Sequence, residues 1–160
     1  MNARVFAAAL AAGLALAGCD KPVAHDLTGS YQESGVTVEL TVRDGTLRAT
    51  FTPAQGFHLY SKDLPETGVD GIGRPTVLRP GGALSADGPV TADRTVAELR
   101  PAGLDLAVPV YPDGPVTLTV PVRAGDGDRY EVTLGYAACS ASSCLAPVTG
   151  KQVVLHSIDR

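Results

Sequence analysis

Strict alternation between Val36 and Arg43 constrains this chain more than any other stretch. Val36, Val38, Leu40 and Val42 take one parity, and Thr37, Glu39, Thr41 and Arg43 the other, which is the pattern of a strand with one buried face. Asp44-Gly45 follows, a pair that accepts the positive φ angles of a tight turn. Residues 46–52 then alternate again, so the segment predicts a hairpin. Further strands are expected over residues 56–61, 75–79, 106–111, 116–122, 130–138 and 152–157, separated by turn signals such as Pro80-Gly81-Gly82 and Gly125-Asp126-Gly127-Asp128. With 18 glycines, 12 prolines and no helical spacing beyond residue 19, long helices are not expected. About seven or eight short strands predict an all-β, immunoglobulin-like β-sandwich. Residues 62–74 and 83–103 carry few alternation cues and read as long loops.

The N-terminus sets the compartment. Arg4 is followed by an apolar run ending Leu16-Ala17-Gly18-Cys19, too short for a membrane span and built like an export signal. Its end resembles the lipobox of bacterial lipoproteins. That resemblance implies a signal peptide over residues 1–18, lipid on Cys19, a tether over 19–34 and a folded domain over 35–160. Asp20, directly after the cysteine, implies retention in the inner membrane. Loss of Arg4 leaves 12 basic residues against 17 acidic ones, a net charge of −5. No basic face for nucleic acid is expected. Removing Cys19 from an odd count of three cysteines leaves one pair.

That pair, Cys139 and Cys144, sits in Tyr136-Ala-Ala-Cys-Ser-Ala-Ser-Ser-Cys-Leu-Ala-Pro147. Ser140, Ala141, Ser142 and Ser143 form a loop that suits a hairpin, and residues flanking such a loop lie close enough for a disulfide. Alternation gives Tyr130, Val132, Leu134, Tyr136 and Ala138 one face and puts Cys139 with Glu131, Thr133, Gly135 and Ala137 on the other, more polar face. Its sulfur is therefore expected to be reachable, unless a bulge reverses the register. Closing so small a ring contributes about 2 kcal/mol, little for a structural staple. Metal is a further alternative, but Cys139 and Cys144 supply only two ligands, and His25, His58 and His156 are scattered. No Lys, Arg or His flanks the pair to lower a thiol pKa. From the residues alone, staple, redox couple and metal site all stay open.

Gly56-Phe-His-Leu-Tyr60, Gly73-Arg-Pro75 and the segment Leu134-Gly-Tyr-Ala-Ala-Cys-Ser-Ala-Ser-Ser-Cys-Leu-Ala-Pro-Val148 together resemble the periplasmic N-terminal domain family of the thiol:disulfide interchange protein DsbD. The resemblance covers about residues 30–157. It implies an immunoglobulin-like sandwich, with Cys139 and Cys144 relaying reducing equivalents between a membrane thiol reductase and periplasmic partners. Those partners are thioredoxin-like proteins or disulfide isomerases, and no bound cofactor or metal is implied. It further implies that Cys144 attacks, that Cys139 resolves, that His58 and Tyr60 shield the site, and that a cap lies within residues 63–74. The family continues into membrane-embedded and thioredoxin-like domains, so here the reductant is expected to be a separate protein. The expected location is periplasmic, lipid-anchored to the inner membrane. A binding or assembly lipoprotein with a structural disulfide is the rival reading, and a copper chaperone a more distant one.

Overall fold

A computed structural model describes residues 26–101 and 103–158. Every element of these residues is a strand or a turn. In chain order the strands are β1 (Leu27–Glu33), β2 (Val36–Arg43), β3 (Thr46–Pro53), β4 (His58–Leu59), β5 (Val77–Gly82), β6 (Leu84–Ala86), β7 (Thr91–Ala92), β8 (Ala97–Leu99), β9 (Val108–Val110), β10 (Val116–Ala124), β11 (Tyr130–Tyr136), β12 (Ala138–Cys139) and β13 (Val148–Ser157).

The large sheet runs β5-β11-β13-β1-β2-β3-β10-β6, with β7 also on β10. All its pairings are antiparallel. Its two ends, β5 and β6, are separated in sequence only by Ala83, so the sheet must curl back on itself into two facing layers. This is the expected all-β sandwich, immunoglobulin-like in type. Between the layers lie Val36, Val38, Leu40 and Val42 of β2, Leu47, Ala49 and Phe51 of β3, Leu118 and Val120 of β10, and Val132 and Leu134 of β11, all at 0% exposure. The alternation seen in the sequence thus faces a real core, and each such Val, Leu or Phe side chain contributes about 1.5–3 kcal/mol by leaving water.

The hairpin at Asp44-Gly45 forms as expected, with φ of 48° and 68°. A second hairpin precedes it, outside the alternating pattern. Residues 27–33, expected within a tether, are β1, which pairs with β2 from Leu27↔Val42 to Glu33↔Val36 through a Ser34-Gly35 turn of φ 46° and 68°. Its sequence, Leu-Thr-Gly-Ser-Tyr-Gln-Glu, is mostly polar because one side of this strand faces solvent, and that hides it from a hydrophobic pattern. β5 runs through Pro80-Gly81-Gly82, expected as a turn. Pro80 is tolerated because β5 is an end strand whose other edge needs no N–H donor. The region 83–103, expected as a loop, contains β6, β7 and β8, each of two or three residues.

Tyr136 ties the sandwich together. Fully buried, its ring meets Phe51 edge-on at 5.9 Å, and its hydroxyl donates to the carbonyl of Glu33 at 3.0 Å. Burial pushes this hydroxyl up to about 12, with the Glu33 carboxylate adding to the shift. The folded state therefore favours the neutral phenol, and the associated stability is complete below the ordinary tyrosine value near 10 and lost as pH rises through 12. Thermal melts between pH 9 and 12 should show a steep fall across this window, and Tyr136→Phe should flatten it. An unchanged alkaline slope in that variant would assign the loss to other groups.

Candidate functional site

The cysteine segment leaves the sandwich immediately after β11. Ala138 and Cys139 pair with Leu59 and His58 in a small separate ribbon. The chain then turns through the serines. Ser140 N–H donates to the Ser143 carbonyl at 2.7 Å, and Ser140 Oγ accepts from the N–H groups of Ser142 and Ser143 at 3.3 and 3.1 Å. The Leu145 N–H donates to the Ala138 carbonyl at 2.9 Å and closes the hairpin. Cys139 and Cys144 stand opposite each other, disulfide-bonded, with Cα atoms 4.0 Å apart.

The two sulfurs have unlike surroundings. Cys144 is exposed on the tight serine turn. Cys139, expected on a reachable face, is only 4% exposed. The register did not reverse: the irregularity between β11 and β13 puts its extra residue in β13. What the alternation could not reveal is a second layer covering that face. Tyr60, Leu64, Val108, Val110 and Ala137 form a small core with Cys139, joined by the partly buried Val69, Ile72, Leu99 and Leu106.

Tyr60 and His58 both reach the site. The expected strand over residues 56–61 pairs as a strand with β12 only at His58–Leu59, because the chain beyond turns to pair with β9: Tyr60 bridges Val110, Ser61 N–H donates to the Pro109 carbonyl, and Tyr111 N–H donates to that of Leu59. This carries the 2% exposed Tyr60 over the disulfide, where its hydroxyl donates to Cys139 Sγ at 3.1 Å. Such a donor favours negative charge on that sulfur, making it a better leaving thiolate. Burial raises the Tyr60 pKa, so the phenol keeps its proton. His58 meets Tyr60 edge-on at 5.7 Å. Its pKa is lowered, first by burial and against the pull of Asp113.

Within residues 63–74, Leu64, Val69 and Ile72 pack on this cluster. The segment is a compact loop in which Val69 and Ile72 exchange backbone hydrogen bonds of 3.0 and 2.9 Å. Arg74 draws it together by donating from Nη1 to the carbonyls of Thr67, Gly71 and Gly73 at 3.0, 3.2 and 2.6 Å. Gly73 lies flat against Tyr60 at φ 80°: a Cβ there would come within 2.6 Å of the ring. A second segment packs on this cluster as well. The β8–β9 ribbon lays Leu99 on the same cluster, joined by Leu106 just before β9, and the alternation of Leu106, Val108 and Val110 is its trace in the sequence.

Cys19 and His25 lie outside the described residues, and exposed His156 belongs to β13, where it pairs with Thr28. Among the described residues no group of three or more His, Cys, Asp or Glu side chains could hold a metal, and no helix is long and apolar enough to cross a membrane.

Comparison with known proteins identifies the fold. A family model described as "Thiol:disulfide interchange protein DsbD, N-terminal" matches residues 30–156. The crystal structure of the DsbD N-terminal domain of Neisseria meningitidis in its reduced form is similar, with a TM-score of 0.51 and 19% identity over 79% of this chain and 86% of that one. No curated protein matches the chain in sequence.

Proposed function

Because the chain belongs to the DsbD N-terminal family, and so to thiol:disulfide exchange in the periplasm, we propose that Cys139 and Cys144 are its redox couple. The observation that carries this reading is the asymmetry of the disulfide: an exposed Cys144 is joined to a buried Cys139, whose Sγ receives a hydrogen bond from the Tyr60 hydroxyl. A dithiol partner attacks the outer sulfur, Cys139 leaves as a thiolate stabilised by the Tyr60 hydroxyl, and the partner's second thiol releases the chain with both cysteines reduced. In the opposite half-cycle the Cys144 thiolate attacks a partner disulfide. Cys139 then attacks Cys144 Sγ and expels the partner as a dithiol, so two electrons pass in each cycle. Cys144 is thus the attacking residue and Cys139 the resolving one.

His58 and Tyr60 shield the inner sulfur, and residues 63–74 cap it. The physical sense of a cover is selectivity, since a dithiol open to every oxidant in the periplasm would be consumed before meeting its partner. In this reading the reductant is a membrane thiol reductase and the recipients are thioredoxin-like proteins or disulfide isomerases. The proposed signal peptide over residues 1–18 and lipid on Cys19 would anchor the domain to the inner membrane and raise its effective concentration beside the reductase.

A Cys139→Ser variant tests the order of attack. Mixed with an oxidised thioredoxin-like periplasmic protein, it should accumulate a mixed disulfide through Cys144, detected by non-reducing electrophoresis and mass spectrometry. Absence of the adduct would contradict the assignment of Cys144 as the attacking thiol.

A further inference from the structure

His58 stands directly opposite Cys139 in the β4–β12 pair. Directly opposed side chains share one face of such a ribbon, with Cβ atoms about 4.5–5.5 Å apart. The histidine is 8% exposed, and its Nε2 is buried with no hydrogen-bond partner among the described residues. A buried polar nitrogen left unpaired is costly, and a neutral imidazole has one nitrogen that can only accept. Near it in the oxidised protein are the Tyr60 ring, whose hydroxyl is committed to Cys139 Sγ, and the disulfide, which has no proton to give. Burial lowers the imidazole's pKa against the pull of Asp113, which favours the neutral form that can accept.

Building on the redox reading above, we propose that His58 is a positioning residue that favours the dithiol: on reduction, the Cys139 thiol donates its newly acquired proton in a hydrogen bond to Nε2 of His58. A partner dithiol supplies two electrons and two protons and leaves as a disulfide. The bond between the Cys139 and Cys144 sulfurs breaks. One proton stays on Cys139 Sγ, shared with His58, and the other goes to the Cys144 sulfur or to solvent. The inner sulfur then sits in a chain, accepting from the Tyr60 hydroxyl and donating to His58, whose own proton is on Nδ1. Reduction thereby gives a partner to a nitrogen that the disulfide form leaves without one. His58 also holds the inner cysteine as a neutral thiol, so that the exposed Cys144 is the sulfur that ionises and attacks.

The test compares dithiol–disulfide equilibria of the full chain in glutathione buffers. His58→Phe, which fills the space but cannot accept, should shift the equilibrium about tenfold toward the disulfide, about 30 mV for a two-electron couple. His58→Gln, which keeps an acceptor near the position of Nε2, should stay close to the parent protein. In the unsubstituted protein, the Nε2 nitrogen resonance should move toward the hydrogen-bonded value on reduction. A His58→Phe equilibrium equal to the parent's, equal shifts in both variants, or an Nε2 resonance that ignores reduction would each overturn the proposal. The resonance decides the matter even if the variants fail to fold. A parent potential too low for exchange would defeat the redox reading while leaving these differences to report on His58.

Discussion

Exchange with a thioredoxin-like disulfide is expected to fall to background in a Cys144→Ser variant, whose fold should remain intact. The reason is the division of exposure between the two sulfurs. Cys144 is exposed on a turn of small residues, Ser140, Ala141, Ser142 and Ser143, which leaves room for a partner to approach. Cys139 lies at 4% exposure beneath Tyr60 and Leu64, and no protein-sized attacking group reaches it without moving them. The ring they close is small, so losing the bridge costs about 2 kcal/mol. The same asymmetry governs labelling. After reduction, a limiting dose of iodoacetamide should modify Cys144 well ahead of Cys139, as read by peptide mass spectrometry. Equal labelling, or exchange persisting in Cys144→Ser, would mean that the inner cysteine is openly available.

Gly73→Val should act from a distance on the same sulfur. At φ 80° a β-branched residue is strained, and its Cβ would meet the Tyr60 ring at 2.6 Å and Leu64 at 3.0 Å. Strain and overpacking together should destabilise the fold by roughly 3 kcal/mol. Tyr60 cannot yield in place, because its carbonyl accepts from Thr76 Oγ1 at 2.6 Å and its backbone bridges Val110. The ring must therefore swing away or the loop must lift, and either movement uncovers Cys139. The variant should combine a lower melting temperature with faster reduction of the disulfide by a small thiol such as dithiothreitol. A melting temperature and a reduction rate both unchanged would show that Gly73 does not hold the cover against Tyr60.

Much of the sandwich was legible in the sequence because its central strands are buried on one face only. Val36 to Val42 alternate for that reason, and the Asp44-Gly45 turn announces itself by chemistry. β1 escapes the pattern because its outward residues are polar and its turn, Ser34-Gly35, is a weaker signal than Asp-Gly. The short strands β6 to β8 are held by their neighbours rather than by any pattern of their own. At the site, the family resemblance pointed to His58, Tyr60, Cys139 and Cys144, and the fold brings all four together. Alternation failed for Cys139, since it reports which face of β11 meets the main core and carries no information about a second layer. The covering residues come from residues 63–74 and from β8–β9, far apart in the chain. Arg74 and Gly73 owe their roles to carbonyls and a ring that only the fold brings near them, and a linear reading offers no spacing that predicts it.

The central claim is that the bond between Cys139 and Cys144 opens and closes in service. Its most direct test is the reduction potential of the unsubstituted protein, obtained by equilibrating it in glutathione buffers and quantifying the two forms by mass spectrometry. An exchanging couple should titrate between about −120 and −300 mV, the range of proteins that trade disulfides with their partners. A value far below about −300 mV would mark a structural bridge and contradict the account.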